Sequence, residues 1–248
     1  MTVQPQIQPS TAEVVYPTGD GQPVAETYDH LYALVVTLLV LKHYLTGQQA
    51  TVLANQFLYY SQGYPRLRCA PDVMVIFGVD PGSRDSYKIW EEGQVPAVIF
   101  EITSAGTRLQ DQGFKKMLYA QMGVQEYWLF DPRGEWIPEQ LQGYRLSGEE
   151  YLEITDGYSQ PLQLRLQAEG KLIGFYRTDS GERLPIPDEL SEQLDREQLL
   201  RLQAEATAEQ ERQRAEQERQ RAEQERQRAT ALEDLLNRYR DQFGDLEP

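Results

Sequence analysis

Cysteine is nearly absent from this chain: Cys69 is the single example in 248 residues. An internal disulfide is therefore excluded, and a reducing cytoplasm is the expected compartment. Histidine is almost as scarce, with only His30 and His43, too few with one cysteine for a structural zinc site. No apolar run reaches the roughly 18 residues that a membrane-spanning helix needs. The best candidate, Leu31 to Leu41, is too short, so no membrane association is expected. The N-terminus lacks a basic stretch followed by an apolar one, and no signal peptide is expected. No glycine-rich phosphate loop precedes a helix. Ser104 and Cys69 lack the setting of a nucleophile motif.

An excess of basic residues is also missing. Net charge is −15, and residues 1–186 carry 22 acids against 14 bases while residues 187–248 carry 17 against 10. Neither part is basic, whereas nucleic-acid binders usually present a basic face. Only a local convergence, of Arg66, Arg68, Arg108, Lys115 and Lys116 for example, would supply one.

What is present divides into three regions. Residues 1–26 are rich in Pro, Gly and Gln without periodicity and read as an irregular N-terminal segment. Residues 27–186 carry the features of a folded domain. Tyr28–Tyr44 is dense enough in apolar residues for a buried helix, with Thr27 or Asp29 as N-cap and Gly47 beyond its end. Three short β-rich runs follow: TVLANQFLYY from residue 51, DVMVIFGV from 72 and PAVIFEIT from 96, with Tyr87–Trp90 as a further short strand. Residues 108–122 have helical spacing, with Phe114, Leu118 and Met122 forming an expected apolar face, and Gly123 ends the helix. Residues 125–130 form a strand closed by Asp131–Pro132. Strands between residues 140 and 178 are expected as a peripheral antiparallel layer. The order of helix, strands, helix and strand gives a mixed α/β fold.

Residues 187–248 form the third region, in which the heptad AEQERQR occurs three times from Ala208. One alanine per heptad is a poor coiled-coil seam. Pairs such as Arg212–Glu216 and Glu211–Arg214 instead predict a long solvated helix supported by local ion pairs, each contributing about 0.2–0.5 kcal/mol. Leucines cluster at both ends, Leu190 to Leu202 and Leu232 to Leu236, where the helix could engage a protein partner.

The chemistry concentrates between residues 71 and 132. Asp72 opens one strand, and Glu101 ends an otherwise apolar one. A carboxylate in such a strand is costly unless coordination or hydrogen bonding compensates it. Two carboxylates and a cation are what metal-assisted phosphodiester hydrolysis requires, since Mg²⁺ or Mn²⁺ prefers oxygen ligands. Asp111, Lys115 and Tyr119, at i, i+4 and i+8, share one helix face. Lysine is scarce, with only five in the chain, and its compact ammonium does different work from the abundant arginine.

These residues resemble a motif. Pro71–Asp72, then Phe100–Glu101–Ile102–Thr103–Ser104, then Asp111, Lys115, Tyr119, Gly123 to Trp128 and Asp131–Pro132 are similar to a bacterial family described as putative restriction endonucleases, within the PD-(D/E)xK nuclease superfamily. Tyr16–Pro17, Asp20–Gly21, Pro23, Ala25–Glu26 and His30 continue the resemblance toward the N-terminus, and Thr178 to Pro185 toward the C-terminus. It implies a restriction-endonuclease-like core with a four-stranded mixed sheet and flanking helices. It further implies Asp72, Glu101 and the Ile102 carbonyl as metal ligands and Lys115 as catalytic lysine, with Glu26, His30, Asp111 and Tyr119 in support. The superfamily lysine usually stands two residues after the second acid, where this chain has Thr103, so the helix must supply it. The expected activity is Mg²⁺- or Mn²⁺-dependent DNA endonuclease, as a homodimer because double-strand cutting needs two sites. The alternative is an inactive nuclease-fold scaffold associating through its C-terminal helix.

Overall fold

The computed structural model describes residues 14–21 and 26–244. Most of the irregular N-terminal segment, with Pro23 and Ala25, lies outside the described residues. Helix α1 (Tyr28–Tyr44) starts at Thr27, whose hydroxyl accepts a hydrogen bond from the His30 backbone N–H at 3.3 Å. Thr27, not Asp29, is thus the N-cap, satisfying one of the orphan donors of the first turn.

The single strand expected from residue 51 is two. β1 (Ala50–Leu53) and β2 (Leu58–Tyr59) are separated by Asn55, whose φ of 52° takes the backbone out of the extended region. β3 (Arg68–Cys69), β4 (Val73–Phe77) and β5 (Tyr87–Lys88) follow. After Lys88 the chain makes one helical turn, α2 (Ile89–Glu92), where a longer strand was expected. Beyond β6 (Val98–Ile102), a π-helical turn (Gln110–Lys115) runs into α3 (Lys116–Met122). Gly123, with φ 83°, caps α3 in the left-handed conformation that glycine adopts without a Cβ penalty. β7 (Glu126–Phe130), β8 (Leu141–Ser147), β9 (Glu150–Ile154), β10 (Tyr158–Ser159), β11 (Leu164–Glu169) and β12 (Leu172–Arg177) complete the domain.

The main sheet has six strands in the order β1-β4-β6-β7-β8-β9, not four. β8 and β9 extend it at one edge, so only β10, β11 and β12 form a separate antiparallel layer. β3, β2 and β5 make a third small sheet. Within the main sheet only β6 and β7 are parallel. A parallel pair requires a crossover, and residues 108–122 provide it, laying a helix across the sheet directly after Glu101.

Alternation along the central strands builds two cores. Val73, Val75, Val98, Phe100, Trp128 and Phe130 point to the side covered by α1 and the β10–β12 sheet. Met74, Ile76, Ile99, Tyr127 and Leu129 point to the side covered by Tyr119 of α3 and the small sheet. Strands buried on both faces read as continuous apolar runs, which is why a carboxylate within one of them stands out.

The chain divides into two compact units, residues 1–187 and 188–248. The second is the greater part of one helix, α4 (Pro187–Phe243). Its Leu194, Leu199, Leu200, Leu202, Leu232, Leu235 and Leu236 side chains are exposed. In the repeat the i, i+4 contacts that close run from Gln213, Gln220 and Gln227 to Glu209, Glu216 and Glu223. Among the described residues the expected Arg–Glu pairs of the repeat do not close. Fully solvated arginine and glutamate gain little from contact against the side-chain entropy it costs. No helix among the described residues is long and apolar enough to cross a membrane.

Candidate active site

Glu101 lies on the same face of β6 as Ile99, two residues away, and meets the crossover helix there. Its Oε2 accepts from Lys115 Nζ at 2.8 Å, and its Oε1 accepts from the Tyr119 hydroxyl at 2.6 Å. Lys115 Nζ is also 2.9 Å from Asp111 Oδ1. Asp111 and Glu101 are 0% and 1% exposed, so a single ammonium is shared by two buried carboxylates. The i, i+4, i+8 spacing therefore does bring Asp111, Lys115 and Tyr119 to Glu101. The apolar face expected beside it does not form as read: Phe114 is 62% exposed. Its position follows from the π-turn. Tyr127 donates its hydroxyl to the Asp111 carbonyl at 2.9 Å, and a side chain bonded into the helical ladder widens the turn locally.

Asp72 reaches the same place from the start of β4. Its Oδ2 accepts the Ile102 backbone N–H at 2.6 Å. In a strand the N–H and C=O of one residue point to the same edge, so the Ile102 carbonyl faces the Asp72 side as well. His30, from α1, places Nε2 3.8 Å from Asp72 Oδ2 and Nδ1 3.4 Å from Glu26 Oε2. All seven side chains singled out in the sequence thus belong to one contiguous group.

Burial dominates the electrostatics. It pushes Glu101 up to about 8, with repulsion from Asp72 adding to it and Lys115 opposing. It pushes Asp72 up to about 6 against the Ile102 hydrogen bond, which favours the charged form. For Lys115 burial acts downward, but Glu101 and Asp111 outweigh it and hold the ammonium above the ordinary lysine range. Burial also lowers His30, favouring neutral imidazole, while Glu26 opposes. The Tyr119 hydroxyl is raised well above its usual value by burial and then by Glu101, so it remains a donor. Burial takes the Cys69 thiol up to about 12, making it inert.

The family model for Uma2, described as "Putative restriction endonuclease", matches residues 11–171. The chain belongs to this family. Among solved structures it is similar to a "putative nuclease belonging to DUF820" from Anabaena variabilis ATCC 29413, at 17% identity and a TM-score of 0.40, covering 55% of this chain and 73% of that one. Comparison with curated proteins finds no match.

For an Uma2 chain the donor chemistry of the site fits a hard divalent cation. Asp72, Glu101 and the Ile102 carbonyl offer oxygen only, and buried Asp111, held by Lys115 through Oδ1, leaves Oδ2 without a hydrogen-bond donor. Among the described residues no group of three His, Cys, Asp or Glu side chains is placed to hold a metal ion. Thr103, where the superfamily lysine usually stands, is 3% exposed with no hydrogen-bond partner for its hydroxyl, and it lines a cleft of about 90 Å³ with His30, Ser104, Arg133 and Trp136. Of the cations whose convergence could supply a basic face, Arg68 lies over Phe57, Arg108 over Trp136 and Lys116 over Tyr144, while Lys115 is held by carboxylates.

Proposed function

We propose that this chain is a nuclease that hydrolyses DNA phosphodiester bonds with Mg²⁺ or Mn²⁺. The observation that carries the reading is Lys115, fixed 2.8 Å from Glu101 and 2.9 Å from Asp111 beside the Asp72 carboxylate. Asp72, Glu101 and the Ile102 carbonyl would hold the cation, which when bound polarises phosphate oxygen and acidifies water. Glu101 and Asp111 hold the Lys115 ammonium above the ordinary lysine range, which suits it to serve as a fixed charge and donor. It orients water and offsets the charge that develops on the phosphate. Tyr119 fixes the plane of the Glu101 carboxylate, Asp111 fixes the ammonium, and the Ile102 N–H orients Asp72.

Supercoiled plasmid and labelled oligonucleotides, incubated with Mg²⁺ or Mn²⁺, test the reading. Wild type should nick or linearise DNA, and Lys115→Ala or Glu101→Gln should lose roughly a hundredfold or more of the rate. Equal and complete survival of DNA with wild type and Lys115→Ala, over many substrates, would defeat it. A second reading, an inactive scaffold, draws on the acidic domain and the exposed leucines of α4. Its signature would be an oligomer that dissociates when residues 188–248 are removed, with no Glu101-dependent binding of Mg²⁺ or Mn²⁺ by calorimetry. The homodimer expected for double-strand cutting is read by light scattering on the same samples.

A further inference from the structure

An acidic domain that acts on DNA must approach its phosphates somewhere, and the sequence contains one long interval where repulsion is absent. From His30 to Pro71, 42 consecutive residues include no Asp or Glu, in a chain that has 39 of them. The later part of that interval is the β2–β3 hairpin. Leu58 pairs with Cys69 and Tyr59 with Arg68. Arg68 stacks 4.3 Å over Phe57 and donates to the Pro65 carbonyl at 3.0 Å, which braces the tip. Tyr64 at the tip is 63% exposed and Arg66 is exposed beside it. Lys88 of β5 lies opposite Tyr59 on the neighbouring strand, its ammonium paired with Glu91 at 3.0 Å.

The hairpin is anchored at the carboxylate site. The Asn55 N–H donates to the carbonyls of Pro71 and Asp72 at 3.1 and 3.3 Å. Arg66 is six residues from Asp72, hence within about 20 Å at full extension. That span corresponds to roughly six nucleotide steps of 3.4 Å along a duplex strand. An exposed tyrosine with an adjacent guanidinium is the pairing that binds an unpaired strand, one stacking on a base and the other contacting phosphate.

We infer that the β2–β3 hairpin is a DNA contact surface, with Arg66 on the phosphate backbone and Tyr64 stacking on an unpaired base, delivering a single-stranded segment to Asp72 and Glu101. This rests on the nuclease reading for its direction toward the site, but it is tested by binding alone. Full-length protein in EDTA is titrated against labelled single-stranded and duplex oligonucleotides of about 20 nucleotides, read by anisotropy across salt concentrations. Arg66→Ala should weaken both by about threefold or more and lower the salt slope by about one. Tyr64→Ala should weaken the single strand by about fivefold or more, and Tyr64→Phe should restore it. Arg165→Ala, at an exposed position of β11, should match wild type, and thermal melts check that each variant is folded. Wild-type affinity in both hairpin variants, or no salt-dependent binding by wild type, overturns the inference. Hairpin-dependent binding without cleavage in Mg²⁺ would retain the surface and remove the nuclease reading. Cleavage that persists with binding indifferent to the hairpin would do the reverse.

Discussion

Glu101 stands in a strand whose other residues are all buried, and its own side chain is 1% exposed. Burial and Asp72 raise its carboxyl from 4.5 to about 8. A folded state that binds a proton more tightly than the unfolded chain loses stability as that proton is removed. The contribution of Glu101 is therefore fully present below about 4.5 and lost as pH rises through about 8; Asp72, raised from 3.8 to about 6, acts in the same direction. Thermal unfolding in EDTA should accordingly show a melting temperature that falls across this window, with much of the slope removed in Glu101→Gln. An unchanged slope in the variant would contradict the assignment. Under the proposed metal-dependent reading a divalent cation competes with the same proton, so Mg²⁺ should stabilise the protein more at pH 8 than at pH 6. Lys115 belongs to the same balance. Removing it leaves Glu101 and Asp111 without their shared cation, and Lys115→Ala should cost about 3 kcal/mol in urea denaturation above neutral pH. A cost near zero would mean that the two carboxylates are solvated rather than paired through Lys115.

At the scale of elements, the helix over residues 108–122 shows both what sequence could reveal and what it could not. Its limits and its polar face, Asp111, Lys115 and Tyr119, follow from spacing and from Gly123. The outward turn of Phe114 does not, because it depends on Tyr127, a residue of β7 that bonds the Asp111 carbonyl from across the sheet. Tyr127→Phe should cost about 1 kcal/mol for the lost hydrogen bond. By relaxing the turn it should also weaken Mg²⁺ affinity in calorimetry, whereas a purely structural hydroxyl would lower stability and leave affinity intact. The break in the run from residue 51 is illegible for a similar reason: composition alone does not show that Asn55 turns the chain from one sheet into another. Gly143 lies inside β8 opposite Trp128. A Cβ there would come within 2.4–2.7 Å of the indole ring. Trp128 is fully buried and has no free end to move aside, so Gly143→Ala should destabilise by about 1–3 kcal/mol, measured by chemical denaturation.

At the scale of the whole chain, the heptad repeat and its composition shift made the long helix legible, and the two compact units meet at the Pro187–Asp188 junction. Every residue of both hydrophobic cores precedes that junction. The first unit thus has the means to fold cooperatively by itself, while α4 is supported along most of its length by local contacts, which give broad, length-dependent helix melting. The two behaviours can be read separately in the intact chain. All three tryptophans, Trp90, Trp128 and Trp136, lie in the first unit, so fluorescence reports that unit alone. Circular dichroism at the helical band is weighted toward the 57 residues of α4. Heating should give a sharp fluorescence transition and a broader dichroism change that begins at lower temperature. Ending the chain at residue 187 should remove the broad component and leave the fluorescence midpoint within a few degrees. Coincident transitions, or a midpoint that drops sharply on truncation, would mean that the leucines at the ends of α4 complete a core rather than remain available to a partner.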